Sequence, residues 1–254
     1  MCLRCSSSVA NFKEKLDKKF NLPDWSYSKI FKPVLFFGMY HFGDYRKFIF
    51  HQGKKYIIWA GSDILNLNKW NKWIFNLFKA RHYCENQVEY RKLLKNGIVA
   101  TIKPLFLGNV DDFPVSYKQS DRPQVWLCMH PGREEEYGIG LMTEMAYECP
   151  EITFHIYGVN GYNQTNIIYH GIVPEEQFNE EIKNYQSSLR LNSFDGMSEV
   201  ISKSILLGQY PISRIRYDYI DSFNTKEDLI SLLKNLKLYK EPNENRNYWY
   251  NKLK

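Results

Sequence analysis

The chain has 254 residues and a formal net charge of +6, from 34 Lys and Arg against 28 Asp and Glu. With 44% hydrophobic and 24% charged residues it can bury a core, which excludes a disordered chain and leaves one large domain or two small ones. Residues 1–120 carry 20 Lys and Arg and 9 Asp and Glu, whereas 121–254 carry 14 and 19, so a basic and an acidic half imply two modules with different partners.

In chain order, residues 11–20 read as a Lys-rich amphipathic helix closed by Pro23. Residues 33–37 form a short apolar run ending at Gly38, which predicts a buried strand. A helix over 44–51, a strand over 55–59, a helix over 68–78, a strand over 81–84, a helix over 86–95 and a strand over 99–103 follow. This alternation indicates βαβ units and a parallel sheet. Residues 108–124, with Gly108, Pro114 and Pro123, read as a linker.

The rhythm restarts with strands over 125–129, 152–157, 166–169, 187–191, 210–213 and 215–219. Helices are predicted over 137–147, 174–185, 198–207 and 225–236, the last with Thr225 and Asp228 spaced as a capping pair. A final aromatic helix is predicted over 243–253. The expected fold class is α/β, two Rossmann-like domains facing across a cleft. The expected domains are 1–115 and 116–240, with a C-terminal helix in 241–254 that could pack back onto the first domain.

No stretch nears 18 uncharged apolar residues, so no transmembrane helix is expected. The first residues lack an apolar run of signal-peptide length, and five cysteines suit a reducing compartment, so a cytoplasmic location is expected. Cys2 and Cys5 form a C-x-x-C without a matching pair of zinc ligands nearby. Dinucleotide, P-loop, serine-hydrolase and RNP motifs are all missing, as is D-x-D.

Ligands of open parallel sheets bind at the carboxyl ends of strands. That directs attention to the loops holding Gly38, Tyr40, His41 and Gly43, then Gly61, Ser62 and Asp63, in the first half. In the second half the loops hold Gly132 and Arg133, Gly158, Gly171, and Asp195, Gly196, Met197, Ser198 and Glu199. Glycines let backbone amides approach a phosphate, and an Arg can grip it with two hydrogen bonds. His41 is the titratable group of the first-half loops, and it could equally cap a backbone group. Asp63 could equally cap the following helix. His155 and His170 lie in or beside buried strands and read as structural. Leu67, Trp70, Ile74, Leu77 and Phe78, bordered by Lys69, Lys72 and Lys79, fit either a core-facing helix or a membrane-surface helix.

Residues 195–212, DGMSEVISKSILLGQYPI, resemble the donor-site segment of two-domain GT-B glycosyltransferases of family four, which reads E-x7-E followed by a glycine and a small apolar strand. Asp195 falls on the first acid, and Lys203 stands where the second is usual. Residues 155–158 and 169–174 resemble the upstream strand-glycine landmarks, Gly132-Arg133 the start of the phosphate-binding G-R-x4-K, and 59–63 the acceptor-side H-G-S-D loop, with Ala60 in place of its His. Tyr137 or Gly138 stands where the second phosphate cation is usual. The compact form resembles the short chlorella-virus-encoded members, which would place the protein in a host cytoplasm.

The resemblance implies a retaining hexosyltransferase that uses a GDP- or UDP-sugar, GDP-mannose being the leading guess, and a glycan or glycoprotein acceptor. It implies Asp195, His41 and Asp63 as catalytic candidates. It implies Arg133, Gly132, Gly158, Gly171, Arg190, Gly196, Met197, Ser198, Glu199 and Lys203 as the donor site, with Arg190 or Lys203 supplying the missing diphosphate cation. No cofactor and no metal are expected. The alternatives are a nucleotide-sugar- or glycan-binding protein impaired in turnover, and a basic nucleic-acid-binding protein, against which the acidic second half argues. Peripheral membrane contact and a homodimer stay open.

Overall fold

The computed structural model describes residues 1–67 and 69–254, with the backbone alone for 69–72. The expected helix start at Asn68 and the side chains of Lys69, Trp70 and Lys72 therefore lie outside the described residues. The chain divides into two compact units, one of residues 1–108 and 194–197, the other of 109–193 and 198–254. The second unit thus begins at Asn109. The supposed linker belongs to the second unit, because Val110, Phe113 and Tyr117 are buried and the Ser116 amide donates to Leu207 O at 3.0 Å.

The first unit holds a parallel sheet of β1 (Cys2–Cys5), β2 (Val34–Phe37), β3 (Lys55–Ile58), β4 (Arg81–Cys84) and β5 (Ala100–Ile102), in that spatial order. Around it lie α1 (Lys13–Phe20), α2 (Phe42–Phe50), α3 (Lys69–Leu77) and α4 (Gln87–Lys95). Alternation along the strands feeds two cores. Phe36, Ile57 and Cys84 pack with Phe48, Phe75 and Leu93 on one face, while Leu35 and Phe37 pack with Val9 and Leu16 on the other. Each such side chain stabilises the fold by about 1.5–3 kcal/mol on burial.

Strand β1 was not expected, since residues 2–5 show neither an apolar run nor a β-branched residue. It exists because β2 pairs along it on one side and Asp24 bridges to Leu3 on the other. The strand also settles the C-x-x-C. Residues three apart on a strand face opposite ways, and Cys2 and Cys5 lie in different cores.

The second unit is built on β6 (Gln124–Cys128), β7 (Thr153–Tyr157), β8 (Ile167–Gly171), β9 (Ser187–Arg190), β10 (Ile212–Ser213) and β11 (Asp221–Ser222). Their order is β11-β10-β9-β6-β7-β8, with parallel pairing throughout. Its helices are α5 (Ile139–Glu148), α6 (Glu175–Glu181), α7 (Glu199–Leu206), α8 (Lys226–Asn235) and α9 (Arg246–Leu253). The capping pair forms as expected, with the Asp228 amide donating to Thr225 Oγ1 and the Thr225 amide to Asp228 Oδ2, both at 3.1 Å. The strand expected over 215–219 does not form. Tyr219 has φ of 57°, which no strand accommodates, and the edge position goes to β11.

Helix α9 belongs to the second unit. It lies on α7, where Arg246 Nε donates to Leu206 O at 3.1 Å and Trp249 Nε1 to Asp218 O at 3.0 Å. Trp249 is 1% exposed, so its indole fixes this position. No described helix is long and apolar enough to cross a membrane.

Candidate functional site

In the second unit the strand order reverses on either side of β6, so the carboxyl ends of β6 and β9 mark the topological switch point. Gly132 and Arg133 follow β6, and Arg190 closes β9. Gly132 takes φ of 76°, and the Arg133 amide then donates to His130 O at 3.0 Å, forming a tight turn. The Arg133 and Arg190 guanidinium carbons stand 5.6 and 4.7 Å from the centre of the Tyr137 ring. Two cations thus border one aromatic ring at the end of the sheet. Arg190 thus stands beside position 137, where the resemblance would place a second cation. Arg133 is held in turn by Glu136, with its Nε donating to Oε2 at 2.8 Å.

The neighbouring loops make the same edge compact. Gly158, with φ of 90°, donates its amide to Gly171 O at 2.7 Å, and a methyl group on it would stand 2.2 Å from Met129 O. Ser198 caps α7 by accepting from the Val200 amide at 3.2 Å, and Glu199 opens that helix.

Lys203 is not poised for a diphosphate. It is 4% exposed, donates to Asn179 Oδ1 at 3.0 Å, lies 3.5 Å from Glu175 Oε1, and packs over the Phe113 and Phe178 rings. Its charge is committed to α6. One turn of α7 separates it from Glu199, whose Oε2 is 3.8 Å away.

In the first unit, loops after β2, β3 and β4 converge at one sheet edge. Asp44, in the first turn of α2, accepts from Ser6 Oγ at 2.6 Å and from the His41 amide at 3.2 Å, which pins the loop after β2. His41 itself is exposed, and its Nε2 lies 2.6 Å from Ser8 Oγ. Tyr40 donates its hydroxyl to Ala60 O at 2.8 Å, and Ser62 Oγ approaches that hydroxyl at 3.5 Å. Burial, and then the nearby Asp63 charge, push the Tyr40 phenol up to about 12. Gly38 (φ 75°) and Gly61 (φ 83°) turn the chain out of β2 and β3, while Gly43 is exposed in α2 with open space around it.

Asp63 is corrected from a catalytic candidate to a positioning group. It is 0% exposed, and its two oxygens accept from the Met39 amide at 2.9 Å and the Ala60 amide at 3.1 Å. It therefore ties the exits of β2 and β3 together and cannot touch a substrate. Burial pushes its carboxyl up to about 7 against the pull of those amides.

Three residues that sequence reasoning missed complete this edge. Asn86 caps α4, its Oδ1 accepting from the Val88 and Glu89 amides, while its Nδ2 donates to Asp195 O at 2.7 Å. Glu85 Oε2 accepts from the Met197 amide at 2.9 Å. Glu89 is fully buried, accepts from the Glu85 amide at 2.6 Å, and keeps Oε1 without a partner. Burial raises both carboxyls, Glu85 to about 8 and Glu89 well above the usual range; the Asp195 and Asp63 charges push Glu85 further up, and the Glu85 charge does the same to Glu89. In sequence, Glu-Asn before an amphipathic helix reads only as an N-terminal cap. Asp195 and Gly196 thus lie beside Glu85 and Asn86 within the first unit. Among the described residues, no group of three His, Cys, Asp or Glu side chains is arranged to hold a metal ion.

A separate polar cluster sits under α6. His155 Nε2 donates to Gln124 Oε1 at 2.9 Å, and its Nδ1 lies 3.0 Å from His170 Nε2. Tyr157 donates to Glu181 at 2.7 Å and lies 2.7 Å from the Tyr185 hydroxyl, and Tyr185 stacks on His155 at 4.3 Å. Every polar contact here links elements of the fold.

No protein-family model matches the chain, and no curated protein matches it in sequence. Solved structures do. TarM aligns with a TM-score of 0.62 at 13% identity, over 87% of this chain and 51% of TarM. HepE of Anabaena, solved in complex with UDP and glucose, aligns with a TM-score of 0.64 at 8% identity, over 94% of this chain and 84% of that one. Sucrose-phosphate synthase of Thermosynechococcus elongatus aligns with a TM-score of 0.63 at 10% identity, over 97% of this chain and 73% of that one. The chain spans about half the length of TarM. Identities this low speak for the fold alone, and the fold is the α/β architecture of two Rossmann-like domains of GT-B type.

Proposed function

We propose that this chain is a glycosyltransferase that moves a hexose from a nucleotide-diphosphate sugar to a glycan or glycoprotein acceptor. The observation that carries the reading is the pair of guanidiniums, Arg133 and Arg190, bordering Tyr137 at the switch point of the second sheet. A diphosphate leaving group needs its growing charge neutralised, and two Arg side chains beside glycine-rich strand ends supply that. Protein cations make a metal dispensable for this step. HepE was solved with UDP and glucose, which favours a uridine nucleotide over GDP-mannose as the first donor to try. The reading includes retention at the anomeric carbon, with Asp195 orienting sugar hydroxyls and His41 on the acceptor side.

Calorimetric titration with UDP, GDP, UDP-glucose, UDP-GlcNAc and GDP-mannose tests it. One donor should bind, and Arg133→Ala and Arg190→Ala should each weaken it by about 10- to 100-fold, the worth of one charged hydrogen-bond set. Binding by no member, or binding indifferent to both substitutions, rejects the proposal. A second reading, binding without turnover, draws on Lys203 standing in place of the usual acid and spending its charge on α6. Donor hydrolysis and transfer assays separate the two.

The reading extends to a reducing, cytoplasmic setting, since all five cysteines are free. It also extends to contact of the basic first unit with an anionic surface. Phe42, Trp73 and Leu77 there are 82%, 60% and 57% exposed. Flotation with anionic vesicles checks that contact.

A further inference from the structure

We infer that Glu85 and Asn86 are positioning residues that hold the segment 195–197 in its working shape, an inference that rests on the glycosyltransferase reading above. The two residues form the turn between β4 and α4, and together they grip three consecutive residues. Asn86 Nδ2 donates to Asp195 O at 2.7 Å and to Gly196 O at 3.3 Å, and Glu85 Oε2 accepts from the Met197 amide at 2.9 Å. Donor and acceptor thus read both sides of one short stretch of backbone. A loose loop could not satisfy all three contacts.

The packing is tight enough to dictate composition. A methyl group on Gly196 would stand 1.9 Å from Glu85 Oε2 and 3.5 Å from Glu89 Oε1. Any larger residue at 196 would therefore have to displace the Glu85 carboxylate that holds the Met197 amide. Asn86 has no freedom to do otherwise, since its Oδ1 already caps α4 and its amide group faces the loop. Glu89 fixes Glu85 in turn by accepting from its backbone amide at 2.6 Å. Both carboxyls resist ionisation, raised first by burial, with the charges of Asp195 and Asp63 adding to the effect.

The grip acts on the backbone of residues 195–197. Its effect falls on where the Asp195 carboxylate and the Gly196 backbone stand, and a misplacement of about 1 Å costs about 100-fold in rate. The expected result is a split between binding and chemistry.

Two measurements test this. The first is site-resolved hydrogen exchange of the full chain without ligand. In Glu85→Ala the Met197 amide should exchange at least about 10-fold faster, with β6 and β7 amides unchanged; equal exchange in wild type and variant overturns the grip, whatever the activity. The second is steady-state transfer with the donor identified above. Glu85→Ala and Asn86→Ala should lower kcat by about 10- to 100-fold while leaving the Kd for the free nucleotide, which lacks the sugar, within about twofold. Glu85→Gln, which keeps an acceptor oxygen for the Met197 amide, should recover most of kcat; circular dichroism on each variant confirms that it folds. Wild-type turnover that the Ala variants retain in full refutes the positioning role alone. Wild-type failure to turn over any nucleotide sugar refutes the glycosyltransferase reading, and the positioning role falls with it.

Discussion

Acidification should find a specific weak point in the second unit, at His155. Its Nε2–H donates to Gln124, so its Nδ1 must accept from His170 Nε2. Protonating Nδ1 would set donor against donor in a nearly dry site. Burial first, and then the nearby His170, hold the imidazole down at about 4 against an ordinary 6.5. The folded state therefore binds this proton less readily than the unfolded state. Stability is intact above pH 6.5 and is lost as pH falls from 6.5 toward 4. At 1.36 kcal/mol per decade the full loss is about 3 kcal/mol, and about 2.5 kcal/mol is reached by pH 4.5. His170 on β8, Glu181 on α6, and Tyr157 and Tyr185 face the same imidazole, and their own titrations add to the raw curve.

A difference measurement removes them. The stability gap between wild type and His155→Gln, from urea unfolding followed at the second unit's transition, should shrink by about 2.5 kcal/mol between pH 7.5 and 4.5. Gln keeps a group able to donate to Gln124 and never charges. A gap that stays constant over that range would refute the argument, because the imidazole would then titrate alike folded and unfolded.

Three further outcomes follow from packing. Gly158→Ala should destabilise the second unit by about 3 kcal/mol in the same assay, from a left-handed φ and a methyl group driven against Met129 O. Trp249→Ala should cost about 3–5 kcal/mol and free α9, read as faster proteolysis after residue 240. Lys203→Met should leave nucleotide affinity within about twofold and stability within about 1 kcal/mol, because a buried ion pair gives way to an apolar chain of similar length; calorimetry and urea unfolding check the two halves of that statement.

Where a segment carried its own pattern, the sequence was enough. The runs at 33–37, 55–59 and 125–129 are buried strands because little but burial suits them, and Thr225 with Asp228 fixes a helix start by local chemistry alone. What stayed hidden depends on partners distant in sequence. Cys2–Cys5 becomes a strand only when β2 lies beside it, and Asp221–Ser222 only because β10 leaves an open edge. The site divides the same way. Arg133 was expected from a glycine turn after a strand, and Arg190 only as one of two candidates, beside Lys203, for a further cation. Glu85 and Glu89 were not, because the burial of these two acids depends on a segment that for Glu85 begins its contact 112 positions further along the chain. Asp63 was placed in the right loop but given the wrong role. Its spacing signals a turn, and only the packing shows that both oxygens are already spent on Met39 and Ala60.

The division of the chain bears on its synthesis. The first unit counts residues 194–197 among its own, while everything between 109 and 193 belongs elsewhere. A ribosome that has released residue 108 has therefore not delivered the whole of that unit. Glu85, Glu89 and Asn86 must wait, three polar side chains at an unfinished sheet edge, until most of the second sheet has emerged. At elongation speeds of about 5–20 residues per second, that interval is several seconds. Every strand pair here is parallel, so no hairpin can shorten it. The nascent chain is thus expected to be most vulnerable to holdases and proteases while residues 109–193 are being made.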